Sequence, residues 1–336
     1  MSIALQRLFA RYSGFLRRIK AAYVLNNLLN ADRLRHNVRL YRRAGLKKSI
    51  FSPIGRVDFD PLSPPDDLPW LDRPDALERL QQHPRFQQAD PVLQTELRRF
   101  VTEGYMVLRG QVPATEVEEL NKEVAVALNA GQTGFNFTGR KIFNFFEQSR
   151  LAEERFFKRP DLLELLSFLL GKKVLPFQSL NFVTGSEQRA HSDYIHMATW
   201  PEGYLIAAWY ALEPCTPDNG PVAYYPGSHR LPYPNTRDYD SGNSYFLVGN
   251  DSNAHYEDKV AKMIQENGFQ KALFLAQPGD VLIWHANLLH AGSPINGRDA
   301  AGNPLTRKSM VCHYYAEDVI CYHEMLQRPA LIKKDS

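Results

Sequence analysis

Cysteine is scarce in this chain of 336 residues: Cys215, Cys312 and Cys321 form no CxxC pair and are odd in number. A disulfide framework is therefore excluded, and a reducing, cytoplasmic setting is expected. Long apolar runs are lacking too, and none approaches the roughly 18 residues that a membrane-spanning helix needs. Charges interrupt every candidate apolar core near the N-terminus, so a secretory signal is not expected. Acid is nearly absent from the first 50 residues, where Asp32 stands against 12 Lys and Arg. That stretch carries +11, and since the whole chain carries +3, the remainder carries −8. An acidic body argues against nucleic acid as a partner. An Arg-rich, acid-poor start is also what a mitochondrial transit peptide would have.

What is present is the composition of a globular protein, 44% hydrophobic and 23% charged, with enough chain for one large domain or two ordinary ones. Leu5, Leu8, Tyr12, Phe15, Ile19 and Tyr23 recur at helical spacing within 3–29, and a second helical stretch, 32–45, is dominated by arginine. Residues 1–50 are thus expected to form a basic amphipathic arm. Such an arm would dock on its own acidic body or a second copy, or lie on an anionic membrane surface. Residues 51–91, rich in proline (Pro53, Pro61, Pro64, Pro65, Pro69, Pro74), read as an extended linker. The remainder, 92–325, reads as one domain.

That domain opens with a helix over 92–103 stopped by Gly104, a strand at 105–108, and a helix for which Thr115 and Glu118 suggest a capping box. A further helix, 160–170, stops at Gly171. Short β-rich runs follow at 173–184, 204–213, 221–226, 272–276, 281–285 and 308–315. The expected fold is mainly β with flanking helices (α+β), a jelly roll buttressed by N-terminal helices. The interruption 231–270, with a helical piece at 256–267, is a candidate lid, and Tyr233, Tyr239, Asn243 and Tyr245 would give it a polar face.

His191 and Asp193 form a His-x-Asp pair whose alternate spacing on an extended chain points both side chains the same way. A distant His would complete a facial triad with open coordination positions, as a non-haem Fe(II) oxygenase requires. His290, just past the strand begun by Gly279-Asp280, is the candidate. Arg307, opening the next strand, has the planar fork that suits the far carboxylate of 2-oxoglutarate. Arg298, in the long loop before it, is a rival for that role.

Several stretches together resemble the phytanoyl-CoA dioxygenase family of Fe(II)- and 2-oxoglutarate-dependent oxygenases. They are Phe100-Val101-Thr102-Glu103-Gly104-Tyr105-Met106-Val107-Leu108, His191-Ser192-Asp193, Trp209-Tyr210-Ala211-Leu212, Asn219-Gly220-Pro221, Pro226-Gly227-Ser228-His229 and the Gly279-Asp280 strand through His290 to Arg307. The resemblance covers about 92–316. It implies a double-stranded β-helix (cupin-like) with Fe(II) on His191, Asp193 and His290, and Arg307 holding 2-oxoglutarate. The implied reaction uses O2 to hydroxylate an unactivated C–H bond of a small molecule or conjugated metabolite, releasing succinate and CO2. Gln178 and Asn181 on the strand before His191, and Ser293 after His290, are further candidates for the co-substrate. His196, Tyr194 and Trp209 are candidates to line a substrate pocket. His285 reads as a core or supporting residue, His229 as structural, and His313 and His323 as packing or surface residues. Asp193 disfavours a halogenase, which has a small residue in its place. Three rival readings remain: a non-catalytic jelly roll retaining the metal shell, a zinc hydrolase using the same triad, and a membrane-associated oxygenase acting on a lipid-linked substrate.

Overall fold

The structure, a computed structural model, describes residues 18–60, 68–136 and 139–332. Leu5, Leu8, Tyr12 and Phe15 of the expected arm lie outside the described residues. Among the described residues, twelve strands form three antiparallel sheets. The largest joins β1 (Tyr105–Leu108), β2 (Lys141–Phe143), β3 (Val174–Phe182), β5 (Leu205–Ala211), β8 (Val281–His285) and β10 (Ser309–Ala316) in the order β1-β8-β5-β10-β3-β2. Facing it is a smaller sheet, β7-β6-β9, made of β6 (Val222–Tyr224), β7 (Ala272–Phe274) and β9 (His290–Gly292). The third sheet, order β12-β11-β4, combines β4 (Ala198–Trp200), β11 (Ile320–His323) and β12 (Arg328–Pro329).

Period-2 alternation divides the large sheet into two faces. Ile206, Ala208, Tyr210, Ile283, Met310, Cys312 and Tyr314 join the apolar core shared with the helices. Ala207, Trp209, Leu282, Trp284 and Val311 turn the other way, against Val222, Tyr224 and Phe274 of the smaller sheet. Because both faces are covered, these strands read as continuous apolar runs.

The buttressing helices start and stop where their ends can be satisfied. Pro91–Glu103 begins with Asp90, whose Oδ1 accepts from the Val92 and Leu93 amides at 2.9 and 3.0 Å. It ends at Gly104, whose φ is +84°. A Cβ there would meet the His229 ring at 2.5 Å, so glycine is required for conformation and for space alike. Ala114–Asn129 starts one residue before Thr115 and has no side-chain cap. The expected capping box does not form, because Thr115 already lies inside the helix and Glu118 pairs with Lys122 at 2.8 Å. Pro160–Leu170 buries Leu162, Leu165, Leu166, Leu169 and Leu170 and stops at Gly171.

The described parts of the segment read as an extended linker, 51–60 and 68–91, are built into the body. Ile54, Phe59, Leu71, Leu80 and Phe86 are buried, with helices at Ala76–Gln82 and Pro84–Gln87. Phe59 stacks on Trp200 with ring centroids 4.8 Å apart. Proline restricted the backbone, but the apolar side chains between the prolines decided the packing. The described part of the arm forms helices at Lys20–Leu29 and His36–Arg43. Its second half docks on the body: Leu34, Leu40 and Tyr41 are buried, and Arg39 and Arg43 meet Asp318. The insertion contributes the Ser252–Glu266 helix, which buries Tyr256 and Val260 against Ile195, Leu289 and Met325. Among the described residues no helix is long and apolar enough to cross a membrane.

Candidate metal centre

His191 and His290 lie far apart in the chain yet form one antiparallel bridge. The amide of each donates to the carbonyl of the other, at 3.0 and 2.9 Å. Their rings are 4.4 Å apart. Asp193 begins a single 3-10 turn immediately after His191, and its Oδ1 lies 3.7 Å from His290 Nε2. One ligand atom from each of the three buried residues lies within 4.8 Å of the others.

Each imidazole is oriented by its own backbone. His191 Nδ1 faces the Arg189 carbonyl at 2.9 Å, and His290 Nδ1 faces the Leu288 carbonyl at 3.0 Å. A carbonyl only accepts, so Nδ1 carries the proton and Nε2 keeps its lone pair for a metal ion. Burial, reinforced by the neighbouring His290, pushes His191 well below its ordinary value and keeps the ring neutral. Burial would raise the Asp193 carboxyl, but the His290 and His313 imidazoles outweigh it and hold the group far below its ordinary value. The Asp193 Oδ2 atom accepts from Trp284 Nε1 at 2.7 Å, with His313 Nε2 at 3.4 Å. From the insertion helix, the Tyr256 hydroxyl accepts the Ser192 amide at 2.9 Å and so fixes the turn between the two ligand candidates.

The triad opens into a cavity of about 1070 Å³. Arg307 lines it while being 2% exposed, and among the described residues its Nε and Nη1 have no hydrogen-bond partner. The guanidinium carbon stands 5.2 Å from the Trp209 ring and 6.0 Å from the Phe182 ring. Burial lowers Arg307 to about 10, and Cys215 and Glu213 oppose the shift. A buried cation without a partner is costly unless a ligand completes it. Glu213 is turned instead to Thr306 Oγ1 at 2.9 Å and to the Lys308 amide. Arg298 is exposed, donates to the Gly302 carbonyl at 2.8 Å and does not line the cavity, so it drops out as a rival.

Of the other candidates, Gln178, His196 and Trp209 line the cavity, Trp209 beside Arg307. Asn181 does not. It sits opposite Met310 on the helix side of the sheet, because an odd offset from Gln178 reverses the face. Tyr194 is also displaced: it packs with Phe59 and Trp200 in a separate core, its hydroxyl 3.1 Å from Glu202 Oε1. Ser293 lies just past β9, outside the cavity wall, with its hydroxyl buried and unpartnered. Tyr233, Tyr239 and Asn243 do not line the cavity, and the insertion reaches it through Asn253 and Glu257. Sequence reasoning passed over His313, His323 and Lys141, all in the wall. For His313 a signal existed, since 307, 309, 311 and 313 share one parity.

Two facing antiparallel sheets with a buried His-x-Asp and a distant His at one mouth define a jelly-roll protein of the non-haem metalloenzyme type. The family model described as phytanoyl-CoA dioxygenase (PhyH) matches residues 100–300, and the chain belongs to that family. A probable phytanoyl-CoA dioxygenase of Caenorhabditis elegans is 24% identical over 244 residues, 69% of this chain and 71% of the relative. The ectoine dioxygenase of Sphingopyxis alaskensis is 28% identical over 240 residues, 60% of this chain and 71% of the relative. The crystal structure of EctD from S. alaskensis with 2-oxoglutarate and 5-hydroxyectoine shares the fold at a TM-score of 0.53 and 22% identity. The match covers 74% of this chain and 86% of that one. The epimerase SnoN, in complex with Fe3+, alpha-ketoglutarate and nogalamycin RO, matches at 0.52 and 20%, covering 72% and 89%.

The indole hydrogen bond to Asp193 gives a direct test. Trp284→Phe should weaken binding of Mn(II) to metal-free protein by about ten- to a hundredfold, the usual effect of losing a partner that orients a ligand. Free Mn(II) can be followed by its paramagnetic resonance signal, and unchanged affinity would refute the assignment.

Proposed function

We propose that this protein is an Fe(II)- and 2-oxoglutarate-dependent dioxygenase that hydroxylates an unactivated C–H bond of a small molecule, with release of succinate and CO2. The observation that carries this reading is Arg307, a buried guanidinium with nitrogens unpartnered among the described residues, in the same cavity as two imidazoles and a carboxylate. His191, Asp193 and His290 would hold the iron, and Arg307 would take the far carboxylate of 2-oxoglutarate as a planar fork. When bound, the iron supplies the coupling of O2 reduction to oxidative decarboxylation of the co-substrate. The chain contributes position: Trp284 and Tyr256 hold the Asp193 side of the triad, while Phe182 and Trp209 wall the guanidinium off from water. Gln178, on the cavity face, is the remaining candidate for contact with the co-substrate. A zinc hydrolase would leave Arg307 unexplained, and a non-catalytic jelly roll would leave both features so.

Succinate release from 2-oxoglutarate under Fe(II) and O2 tests the reading, with His191→Ala as the blank. No metal-dependent release would refute it. Removing two charge-assisted hydrogen bonds at about 1.5 kcal/mol each should make Arg307→Ala bind 2-oxoglutarate roughly a hundredfold more weakly. Asn181→Ala should leave that affinity unchanged. A lowered value of about 10 still leaves the guanidinium protonated at neutral pH. Wild-type affinity for 2-oxoglutarate should therefore stay level as pH rises through the neutral range and fall only as it nears the Arg307 value.

The catalytic unit is proposed to include 18–60 and 68–91, because those segments bury part of their own core against the body. We also propose a peripheral membrane contact. Leu25, Leu28 and Leu29 share one exposed face of the Lys20–Leu29 helix, at 61, 51 and 78% exposure, within a stretch of strong positive charge. The full chain should co-sediment with phosphatidylglycerol vesicles, and the triple Leu→Ser variant at 25, 28 and 29 should not. Equal partitioning would refute the contact, and loss of a dimer in the variant would assign the face to self-association.

A further inference from the structure

We propose that Ala207 and His313 act with Trp284 as a cradle for the outer oxygen of the Asp193 carboxylate, so that one oxygen alone is offered to a metal ion. Ala207 and His313 are thereby positioning residues, and the assignment rests on the oxygenase reading of the triad. The three side chains come from three neighbouring strands of the large sheet. Ala207 on β5 is the direct partner of Trp284 on β8 and of His313 on β10. Residues opposite one another on neighbouring strands point to the same face. Here it is the face turned toward the smaller sheet, where Ala207 and Trp284 pack. Indole, methyl and imidazole therefore form one row across the sheet.

The smallest side chain stands in the middle of the row. Two strand spacings set the bases of the outer pair about 10 Å apart, and the Ala207 methyl leaves the space between their rings open. Asp193 Oδ2 lies there: it accepts from Trp284 Nε1 at 2.7 Å and stands 3.4 Å from His313 Nε2. Oδ1 is the oxygen on the His290 side, 3.7 Å from Nε2 of that ring. A carboxylate only accepts, so His313 Nε2 carries a proton toward it. His313 Nδ1 has no hydrogen-bond partner among the described residues, and the residue is 2% exposed. Burying an imidazole with one orphan nitrogen is costly, and the contact with Asp193 offsets that cost. The indole also packs on the His290 ring, with centroids 4.7 Å apart, so the row supports a second ligand candidate. A carboxylate free at both oxygens can bind a metal through both. Holding Oδ2 back keeps a coordination position open for the co-substrate and O2.

The test follows Mn(II) binding to the full chain by its paramagnetic resonance signal. It also follows nitric oxide binding to the anaerobic Fe(II)–2-oxoglutarate complex by the signal of the adduct. His313→Leu and Ala207→Val should each weaken Mn(II) by about tenfold or more, the usual effect of losing a group that orients a ligand. Both should lower the nitric oxide adduct while 2-oxoglutarate still binds. His313→Gln, whose amide nitrogen reaches the Nε2 position, should restore both signals. Ala208→Val adds the same bulk on the opposite face of β5 and should leave Mn(II) affinity as in the wild type, which separates the cradle from a general packing defect. If Ala207→Val does not fold, the two substitutions at 313 decide. His313→Leu indistinguishable from His313→Gln, or Ala207→Val with wild-type Mn(II) affinity, would overturn the proposal. Variants that behave as stated, in a protein whose wild type releases no succinate, would overturn the oxygenase reading and leave the cradle standing. Wild-type protein that binds no Mn(II) would overturn both.

Discussion

The site depends on a pair of backbone hydrogen bonds. The reciprocal bridge between His191 and His290 joins the turn after β3 to the start of β9, so two histidines from distant parts of the chain share one point in space. Had either ligand candidate depended on side-chain packing alone, its rotamer freedom would blur the geometry. Here the main chain sets the spacing, and the carbonyls of Arg189 and Leu288 set the tautomers. The remaining polar contacts around the triad refine this arrangement. Trp284 secures the Asp193 carboxylate and Tyr256 pins the turn between His191 and Asp193, so the insertion helix, although outside the sheets, supports the centre.

The cavity is unusual in the balance of its charges. Arg307 is withdrawn from water with Nε and Nη1 unpartnered among the described residues, and the fold must offset that desolvation with the apolar cores on either side of the large sheet. Such a cost is tolerated where a ligand completes the site.

Much of this was legible in the residue pattern. Helix ends at Gly104 and Gly171, the positions of the main strands and the His-x-Asp pair with its distant histidine all follow from local rules: glycine at positive φ, short β-rich runs and alternate side-chain direction. One local rule without its partner misleads. Asn181 shares a strand with Gln178, but the odd offset between them sends it to the helix side. His313 shares its parity with Arg307 and so faces the cavity. Tyr194 follows Asp193 directly, but the 3-10 turn carries its ring into a different core.

The chain's residues alone carried the class of chemistry, because metal ligands and a carboxylate-binding arginine are chemical types that local spacing can bring into register. They also carried the jelly-roll pattern, because alternation and turn residues act over a few positions. The fate of 51–91 was not legible there, since proline marks the backbone while burial depends on what Phe59 meets, and it meets Trp200. Nor was the choice between Arg298 and Arg307, which turns on one being exposed and the other enclosed. Desolvation and charge–charge repulsion depend on distance through space, which local sequence patterns do not encode.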